Sequence, residues 1–436
     1  MKKLLSLLAI VALMFTIIAC ASNGDTPADT SNDTVDATAE DAEPITLQYL
    51  SATLIERPDG DVEQEVIDSF LEKNPHVTFD ISTVSSNELM PAIMTRVVAG
   101  DAPDIFTLFM QYMVTLNDMD ALLPLNDIMG QDYVNDVAMA VRGEVMLGDT
   151  LFIAPWGSIP TGFVYRSDIF EELGLTPPTT FDEVTELGLQ LTTGDQFFLA
   201  LIASNNSSGA SRFIPMLRNS GVRELIYENG EFSTEINSPG AIAALDYYYR
   251  WANVYNITPP GAGEVDHAAA INLLATEVAI ATFTGPHTVG SVVAMNPELE
   301  GKFAGAPMPT LSPGANSLAT GNVNGFAISA ASEHTDIAAA YLAYLTSPAN
   351  FELYNAATNR VPPFVSQVTD SVSGNALTAG FIPALNNAFE VQLTEHDGDV
   401  RDVLAWALNA MASGARSDAA GVAAEAEADI LRIFGR

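Results

Sequence analysis

The sequence predicts an α/β protein built from two doubly wound lobes, and three observations support this prediction. Stretches typical of strands and helices alternate from residue 45 onward, in the order strand, helix, strand, helix, strand. This order implies right-handed crossovers and a largely parallel sheet covered by helices. The chain has 436 residues, enough for more than one hydrophobic core. A central stretch then places two strands on either side of a break, without a crossover helix between them.

The elements of the first lobe follow from periodicity. Alternating or continuous apolar runs predict strands over 45–50, 77–82 and 105–109. Apolar residues at helical spacing predict an amphipathic helix over 61–74, which Pro75 ends, and a second helix over 87–98. Residues at the carboxyl end of the 105–109 strand are expected to face a crevice, as in other open α/β sheets.

The central stretch, residues 148–184, predicts a passage of the chain between the lobes. A strand over 151–154 leads to Trp156, and the segment 157–162 breaks it before a second strand over 163–165. Hinges lie at such breaks because few residues absorb the dihedral change. Trp156 would then face the cleft, although a buried tryptophan in a single domain would give the same pattern.

Local signals bound the helices after this passage. A helix beginning near Asp168 is expected to end at Gly174, which can adopt the left-handed conformation. Thr180 and Glu183 have capping-box spacing and predict the start of the next helix. Ser238 followed by Pro239 predicts another helix start.

Charge and cysteine content exclude several classes of protein. The chain has 17 basic and 55 acidic residues, a net charge of −38, so binding to nucleic-acid phosphates is not expected. One cysteine excludes an internal disulfide and a multi-cysteine metal or redox site. The five histidines are scattered, and nucleophile-elbow, phosphate-loop and dinucleotide motifs are lacking in the sequence. We therefore predict no catalytic residue, no cofactor and no metal site.

The N-terminus has the features of an export signal. Lys2 and Lys3 precede an apolar run over 4–18, which is short for a membrane-spanning anchor. Residues 17–20 resemble a bacterial lipobox, which implies that residues 1–20 are a lipoprotein signal and that Cys20 is the lipidated residue. Residues 21–44 are acidic and polar and are predicted to be a disordered tether. The protein is therefore expected outside the cytoplasm, lipid-anchored at the outer face of the cell membrane or periplasmic.

Several motifs resemble one known family. The run AGDAPDI at 99–105, the whole central stretch, TGPH at 284–287, TGNVNGFAIS at 320–329 and NRVPP at 359–363 follow one another along the chain. Together they resemble the extracellular solute-binding proteins of family 1, the sugar-binding subunits of ABC importers. Arg166 departs from the family's usual Asn, and His287 stands where the family commonly has Trp.

The resemblance implies a periplasmic-binding-protein-like fold in which the chain crosses between lobes. Lobe 1 would comprise residues 45–157 and 314–362. Lobe 2 would comprise residues 158–308 and 363–436. Residues 309–313 would form a hinge crossing.

The candidate ligand-binding residues come from the motifs and from local composition. The segment 201–212 combines Asn and Ser with one Arg, which would suit a polyol but also an ordinary polar loop. His287 could instead cap a helix, and Asn322 and Asn324 could belong to a plain turn. Arg360 could stabilise its own turn without contacting a ligand. The full set is Phe109, Gln111, Tyr112, Trp156, Ser211, Arg212, His287, Asn322, Asn324 and Arg360.

The expected function is capture of a sugar or oligosaccharide by hinge closure, followed by delivery to the membrane subunits of an ABC permease. The protein would act as a monomer and not as an enzyme. One alternative is the same fold binding a polyol, glycerol phosphate or another small molecule. The acidic balance disfavours an anionic ligand, although Arg212 and Arg360 could reverse this locally. A lipid-anchored glycosidase is the other alternative, motivated by the many carboxylates.

Overall fold

The structure is a computed structural model that describes residues 43–436 except Asn87, Thr320, Ala388 and Glu390. The predicted export signal, Cys20 and residues 21–42 of the predicted tether lie outside the described residues. Within the described residues, no helix is both long enough and apolar enough to cross a membrane.

The strands of the described residues form two larger sheets and two small hairpins. In chain order they are β1 (Ile45–Ser51), β2 (Val77–Thr83), β3 (Ile105–Thr107), β4 (Met146–Leu147), β5 (Thr150–Leu151), β6 (Ala154–Ser158), β7 (Gly162–Arg166), β8 (Phe197–Ala200), β9 (Ile226–Glu228), β10 (Glu231–Ser233), β11 (Ala279–Thr284), β12 (Phe303–Ala306) and β13 (Val323–Ile328).

The helices cover the faces of these sheets and fill the last third of the chain. The first nine are α1 (Asp59–Lys73), α2 (Leu89–Ala99), α3 (Met110–Asp118), α4 (Asn126–Met129), α5 (Gln131–Asp136), α6 (Met139–Val145), α7 (Ser167–Leu173), α8 (Phe181–Leu191) and α9 (Ser207–Arg218). The others are α10 (Pro239–Asn253), α11 (His267–Ala275), α12 (Thr288–Met295), α13 (Thr335–Leu345), α14 (Pro348–Thr358), α15 (Asp370–Gly374), α16 (Ala376–Ala379), α17 (Asp397–Ala412) and α18 (Ala419–Ile433). Short 3-10 helices occur at Ala262–Glu264, Pro297–Leu299, Val365–Gln367 and Ile382–Asn386.

The first sheet has five strands in the order β2-β1-β3-β13-β6. β1 is parallel to β2 and β3, as the strand–helix alternation predicts, and β13 is antiparallel to β3 and β6. The prediction of a strand over 105–109 is wrong at its carboxyl end. β3 ends at Thr107, because Phe109 becomes the N-cap of α3, although the amide of Leu108 still donates to the carbonyl of Gly325 in β13.

The second sheet has four strands in the order β12-β7-β11-β8. β11 is parallel to β8 and antiparallel to β7, while β12 is antiparallel to β7. Arg166, at the end of β7, forms ion pairs with two carboxylates outside this sheet. Its guanidinium donates to both carboxylate oxygens of Asp168, at 2.8 and 2.7 Å, and to Glu277 at 2.7 Å.

The chain passes between the sheets at the break in the central stretch. β6 belongs to the five-stranded sheet and β7 to the four-stranded sheet, with only residues 159–161 between them. A second passage runs from the end of β12 to the start of β13. Each sheet has its own large aromatic core: Tyr49, Phe106 and Tyr341 lie in the first, and Phe198 and Trp251 in the second. The predicted fold, two α/β lobes with chain crossings, is confirmed.

The carboxyl-terminal third completes both lobes. α14 packs against α1 of the first lobe, whereas α16 packs on β12 and α17 packs on α9 of the second. The chain therefore returns to the second lobe after α14.

The predicted helix boundaries in the central stretch are confirmed. α7 ends at Gly174, which has a φ of 65°. The hydroxyl of Thr180 accepts from the amide of Glu183 at 3.2 Å, and the Glu183 carboxylate accepts from the amide of Thr179 at 2.6 Å. The returning bond of the capping box thus reaches one residue further back than the motif requires. Ser238 caps α10, with Pro239 as its first residue.

Gly380 offers a test of the packing between α16 and β12. A Cβ atom at this position would lie 1.9 Å from the carbonyl oxygen of Gly305, a backbone atom that cannot move aside easily. We expect Gly380→Ala to lower the free energy of unfolding by about 1–3 kcal/mol in urea denaturation, because the strand must shift. Gly374→Ala is the control, since no atom lies within 4 Å of its Cβ position. Equal effects of the two substitutions would contradict this packing.

Candidate ligand-binding site

The two passages between the lobes are hydrogen-bonded to each other. The amide of Ile159 donates to the carbonyl oxygens of Gly321 and Asn322 at 3.1 and 3.3 Å, and the hydroxyl of Ser158 donates to Gly321 at 2.5 Å. The buried carboxylate of Glu144 accepts from the amides of Gly321 and Val323 at 2.8 and 3.2 Å. Burial raises the pKa of Glu144. These bonds fix the backbone from which the ends of both sheets diverge.

On the first lobe, an aromatic stack and one carboxylate organise the site. The rings of Trp156 and Tyr354 are stacked, with centroids 3.9 Å apart and planes inclined by 1°. The hydroxyl of Tyr354 donates to Asp59, the first residue of α1. The same oxygen of Asp59 accepts from Nε and Nη2 of Arg360 at 3.1 and 2.6 Å. Asp59 therefore orients both the stack and the guanidinium.

On the second lobe, a buried guanidinium contacts two neutral groups. Nη2 of Arg212, in α9, donates to Nδ1 of His267 at 3.0 Å and to the hydroxyl of Thr284 at 3.2 Å. Because Arg can only donate, Nδ1 of His267 must be the acceptor and therefore unprotonated. Burial and the Arg212 charge lower the pKa of His267 to about 4, which keeps the imidazole neutral. Burial also lowers the pKa of Arg212, to about 10.

His287 lies where charges from both lobes act on its imidazole. It is the N-cap of α12, just after β11, and its ring centroid lies 5.6 Å from that of His267. Burial lowers the pKa of His287 well below its usual value, and the charges of Arg360 and Arg212 lower it further. Because Arg360 belongs to the first lobe and Arg212 to the second, both lobes contribute to this environment. We call Trp156, Tyr354, Arg360, Arg212, His267 and His287 the interlobe cluster.

Buried polar atoms without a hydrogen-bond partner are concentrated at this place. Among the described residues seven buried side-chain atoms have no partner, and five of them belong to the cluster or contact it. Leaving such an atom unpaired costs about 1–3 kcal/mol, so five close together indicate groups arranged for a polar ligand. They are Trp156 Nε1, Arg212 Nε, Tyr248 Oη, His287 Nδ1 and Arg360 Nη1. Tyr248 is included because its hydroxyl is close enough to Arg212 for the guanidinium charge to lower its pKa, against the larger effect of burial.

The structure places four of the sequence-predicted site residues in this cluster. They are Trp156, Arg212, His287 and Arg360. Trp156 is fully buried, and Tyr354 covers one face of its indole. The polar atom of Trp156, Nε1, is buried and has no hydrogen-bond partner among the described residues.

Three other predicted residues lie beside the cluster. Asn324 pairs with Gly157 across an irregularity in the sheet, and its side chain reaches Tyr354. Asn322 lies in the second passage with a φ of 42°, and its amide donates to the carbonyl of Ile159 at 3.4 Å. Ser211 is half-buried next to Arg212 in α9.

The last three predicted residues lie at the start of α3. Phe109 and Tyr112 have ring centroids 6.4 Å apart. Gln111 and Tyr112 line a groove of about 630 Å³ together with residues from the start of α17, among them Asp397 and Arg401. This groove shares no lining residue with the interlobe cluster.

Sequence reasoning missed Asp59, Tyr354, His267 and Tyr248. Asp59 belongs to an Asp-Gly-Asp run that suggests only a faint likeness to a calcium loop, yet it begins α1. Gly60 makes this possible, because a Cβ atom there would lie 2.3 Å from the carbonyl oxygen of Leu54. Within the described residues, no group of three or more His, Cys, Asp or Glu side chains is arranged to hold a metal.

Asp59 allows a test of the first-lobe side of the site. We expect Asp59→Asn to lower the free energy of unfolding by about 3–5 kcal/mol, because Arg360 would be left as a buried, uncompensated charge. Asp61→Asn, in the same turn of α1, is the matched control. Its carboxylate pairs with Arg57 at 2.9 Å but is 66% exposed, so its loss should cost no more than about 1 kcal/mol. Similar urea midpoints for the two variants would refute the structural role of Asp59.

Comparison with known proteins identifies one relative that matches part of the chain and solved structures that match about nine-tenths of it. The multiple sugar-binding protein of Streptococcus mutans is 23% identical over 186 residues, which is 42% of this chain and only 40% of that protein. The solved structure of the sugar-binding protein MalE from Xanthomonas citri has a TM-score of 0.76 at 17% identity, covering 89% of this chain and 97% of that one. The GacH receptor of Streptomyces glaucescens, solved unliganded and with acarbose, has a TM-score of 0.72 at 16% identity, covering 90% and 99%.

The family is established by a match to most of the sequence. The sequence model of the family described as bacterial extracellular solute-binding protein matches residues 56–350, more than half of the chain. This range contains both passages between the lobes and every residue of the interlobe cluster except Tyr354 and Arg360. The chain belongs to the bacterial extracellular solute-binding protein family.

Proposed function

We propose that this protein is the substrate-binding subunit of an ABC importer and that it captures a sugar or oligosaccharide between its two lobes. The names of the relatives support this proposal, since one is a multiple sugar-binding protein and another is a sugar-binding protein MalE. The proposal includes delivery of the ligand to the membrane subunits of a permease. It does not include an enzymatic activity.

The observation that carries the proposal is the set of unpartnered polar atoms in the interlobe cluster. Each hydroxyl of a sugar can both donate and accept a hydrogen bond. Trp156 Nε1, Arg212 Nε and Arg360 Nη1 are donors, and Nδ1 of a neutral His287 can act in either role according to its tautomer. A ligand that satisfied these atoms would relieve their desolvation cost, and a sugar with a misplaced hydroxyl would not.

Closure of the lobes would complete the site. We propose that the lobes comprise residues 45–157 with 314–362, and 158–308 with 363–436. The hinge would then lie in the short passage 159–161 and near 309–313, where few residues absorb the dihedral change. Gln111 and Tyr112, in the groove between α3 and α17, would contact the outer part of a longer ligand.

We also propose that the protein is held at the membrane by lipid on Cys20, as a monomer. The support is the sequence alone: a basic start, an apolar run and the lipobox-like residues 17–20. Residues 21–44 would act as a flexible linker that lets the binding lobes extend away from the membrane surface.

A thermal-shift panel of mono- and oligosaccharides tests the binding function. We expect at least one saccharide to raise the unfolding temperature, since a ligand present at a hundred times its Kd stabilises the native state by about 2.7 kcal/mol. His287→Gln should weaken this effect. His334→Gln, a partly buried histidine before α13 and outside the cluster, is the matched control. A shift with peptides or metal ions but with no saccharide would rule out the sugar-binding proposal.

Phase partitioning tests the lipid anchor. The wild-type protein produced in a bacterial host should be found in the membrane fraction and should partition into the detergent phase. Cys20→Ser should shift it to the aqueous phase or leave it as the unprocessed precursor, because the acceptor thiol is lost. The mutant and wild-type proteins should bind ligand equally. Unchanged partitioning of the processed Cys20→Ser protein would contradict lipidation at this residue.

A further inference from the structure

Arg212 is a half-buried cation with a buried Nε and, within the described residues, without an acidic partner in a strongly acidic protein. The chain has 55 acidic residues for 17 basic ones. Eleven of the arginines have a carboxylate within 4 Å in the described part of the chain, leaving only Arg142 and Arg212. Arg142 donates to two backbone carbonyl oxygens. Among the described residues, the hydrogen bonds of Arg212 go to a neutral His and a Thr hydroxyl, and its Nε has no partner.

Arg360, on the opposite lobe, is only partly compensated. Its single acidic partner is Asp59, whose oxygen also accepts from Tyr354. Nη1 of Arg360 is buried and has no partner among the described residues. The interlobe cluster with Asp59 thus contains two guanidinium groups and one carboxylate, together with two imidazoles that burial keeps neutral. One positive charge is left over.

An uncompensated charge away from water is costly, and a ligand of opposite charge would remove this cost. A guanidinium is suited to this role because its planar donors match the two oxygens of a carboxylate or phosphate. The donors left free here, Nε of Arg212 and Nη1 of Arg360, come from different lobes. An anion bound by both would therefore join the lobes, whereas the two guanidinium groups repel each other without it.

We propose that the solute bound between the lobes is an acidic saccharide, whose anionic group is bound by Arg212 and Arg360. This inference rests on the proposed function and narrows it. The anionic group is a carboxylate, as in a uronic acid, or a phosphate ester, since both present the paired oxygens that a guanidinium binds. Trp156 Nε1, His287 and Asn324 then serve the neutral hydroxyls of the same ligand.

The proposal also explains how a protein with a strongly negative net charge binds an anion. A net charge of −38 repels an anion at long range, but salt screens exposed charges beyond about 8–10 Å. Within the interlobe cluster, the nearby charges are those of Arg212 and Arg360 and the carboxylates of Asp59, which pairs with Arg360, and Asp266, next to His267. Local charge, and not net charge, therefore decides what binds there.

Matched pairs of ligands test the proposal on the full chain by isothermal titration. The pairs are galacturonate with galactose, glucuronate with glucose, their short oligosaccharides, and glucose 6-phosphate with glucose. We expect the acidic member of at least one pair to bind 10- to 100-fold more tightly than its neutral counterpart, about what a charged hydrogen bond contributes. Preference for a uronate assigns a carboxylate, and preference for glucose 6-phosphate alone assigns a phosphate ester.

The failures of the two proposals are distinguishable. Neutral sugars that bind as tightly as, or more tightly than, their acidic counterparts would overturn the anionic ligand and leave sugar binding intact. Binding of no sugar or sugar derivative at all would overturn both. These comparisons use the wild-type protein only, so they do not depend on the folding of any variant.

Substitutions of Arg212 test whether this residue contacts the anionic group of the ligand. Arg212→Gln should lose at least about tenfold in affinity for the acidic ligand and little for its neutral counterpart, so that the preference collapses. Arg212→Lys keeps the charge without the planar fork and should restore part of the preference. Arg432→Gln, at a 72% exposed site, is the control and should bind as the wild type does. A folded Arg212→Gln protein that keeps its preference would overturn the assignment to Arg212.

Discussion

The carboxylate of Asp59 is the interaction on which the first-lobe side of the site depends. One of its oxygens accepts from the hydroxyl of Tyr354 and from two nitrogens of Arg360. It thereby fixes the ring that stacks on Trp156 and the guanidinium that faces His287. Asp59 can occupy this position because Gly60 lets the first turn of α1 approach the backbone of Leu54. A local feature of one helix start thus determines the chemistry of a site formed by two lobes.

The second constraint is that both passages of the chain meet next to this site. The bonds from Ile159, Ser158 and Glu144 to the backbone of residues 321–323 hold the passages side by side. Polar groups from the two lobes, including Arg360 and Arg212, contribute to the environment of His287 near these passages.

The sequence predicts the parts of this structure that depend on local signals. Gly174, the Thr180–Glu183 cap and the Ser238–Pro239 start are read directly, because each signal acts within a few residues. The break predicted at 157–162 is present but shorter, since it comprises only residues 159–161. The site is only partly predicted. Arg212, His287 and Arg360 follow from family motifs and composition, but Asp59, Tyr354 and His267 join them through contacts between residues far apart in the chain. The boundary of β3 was missed because α3 begins directly after it, with Phe109 as the N-cap.

The central claim is that polar groups of both lobes bind one solute. A crystal structure of the protein with the tightest-binding saccharide from the ligand panel tests it most directly. We predict that the solute lies in the interlobe cluster, within hydrogen-bonding distance of Nε of Arg212 and Nη1 of Arg360 at the same time. A solute bound only in the groove between α3 and α17, or contacting one lobe alone, would contradict the account.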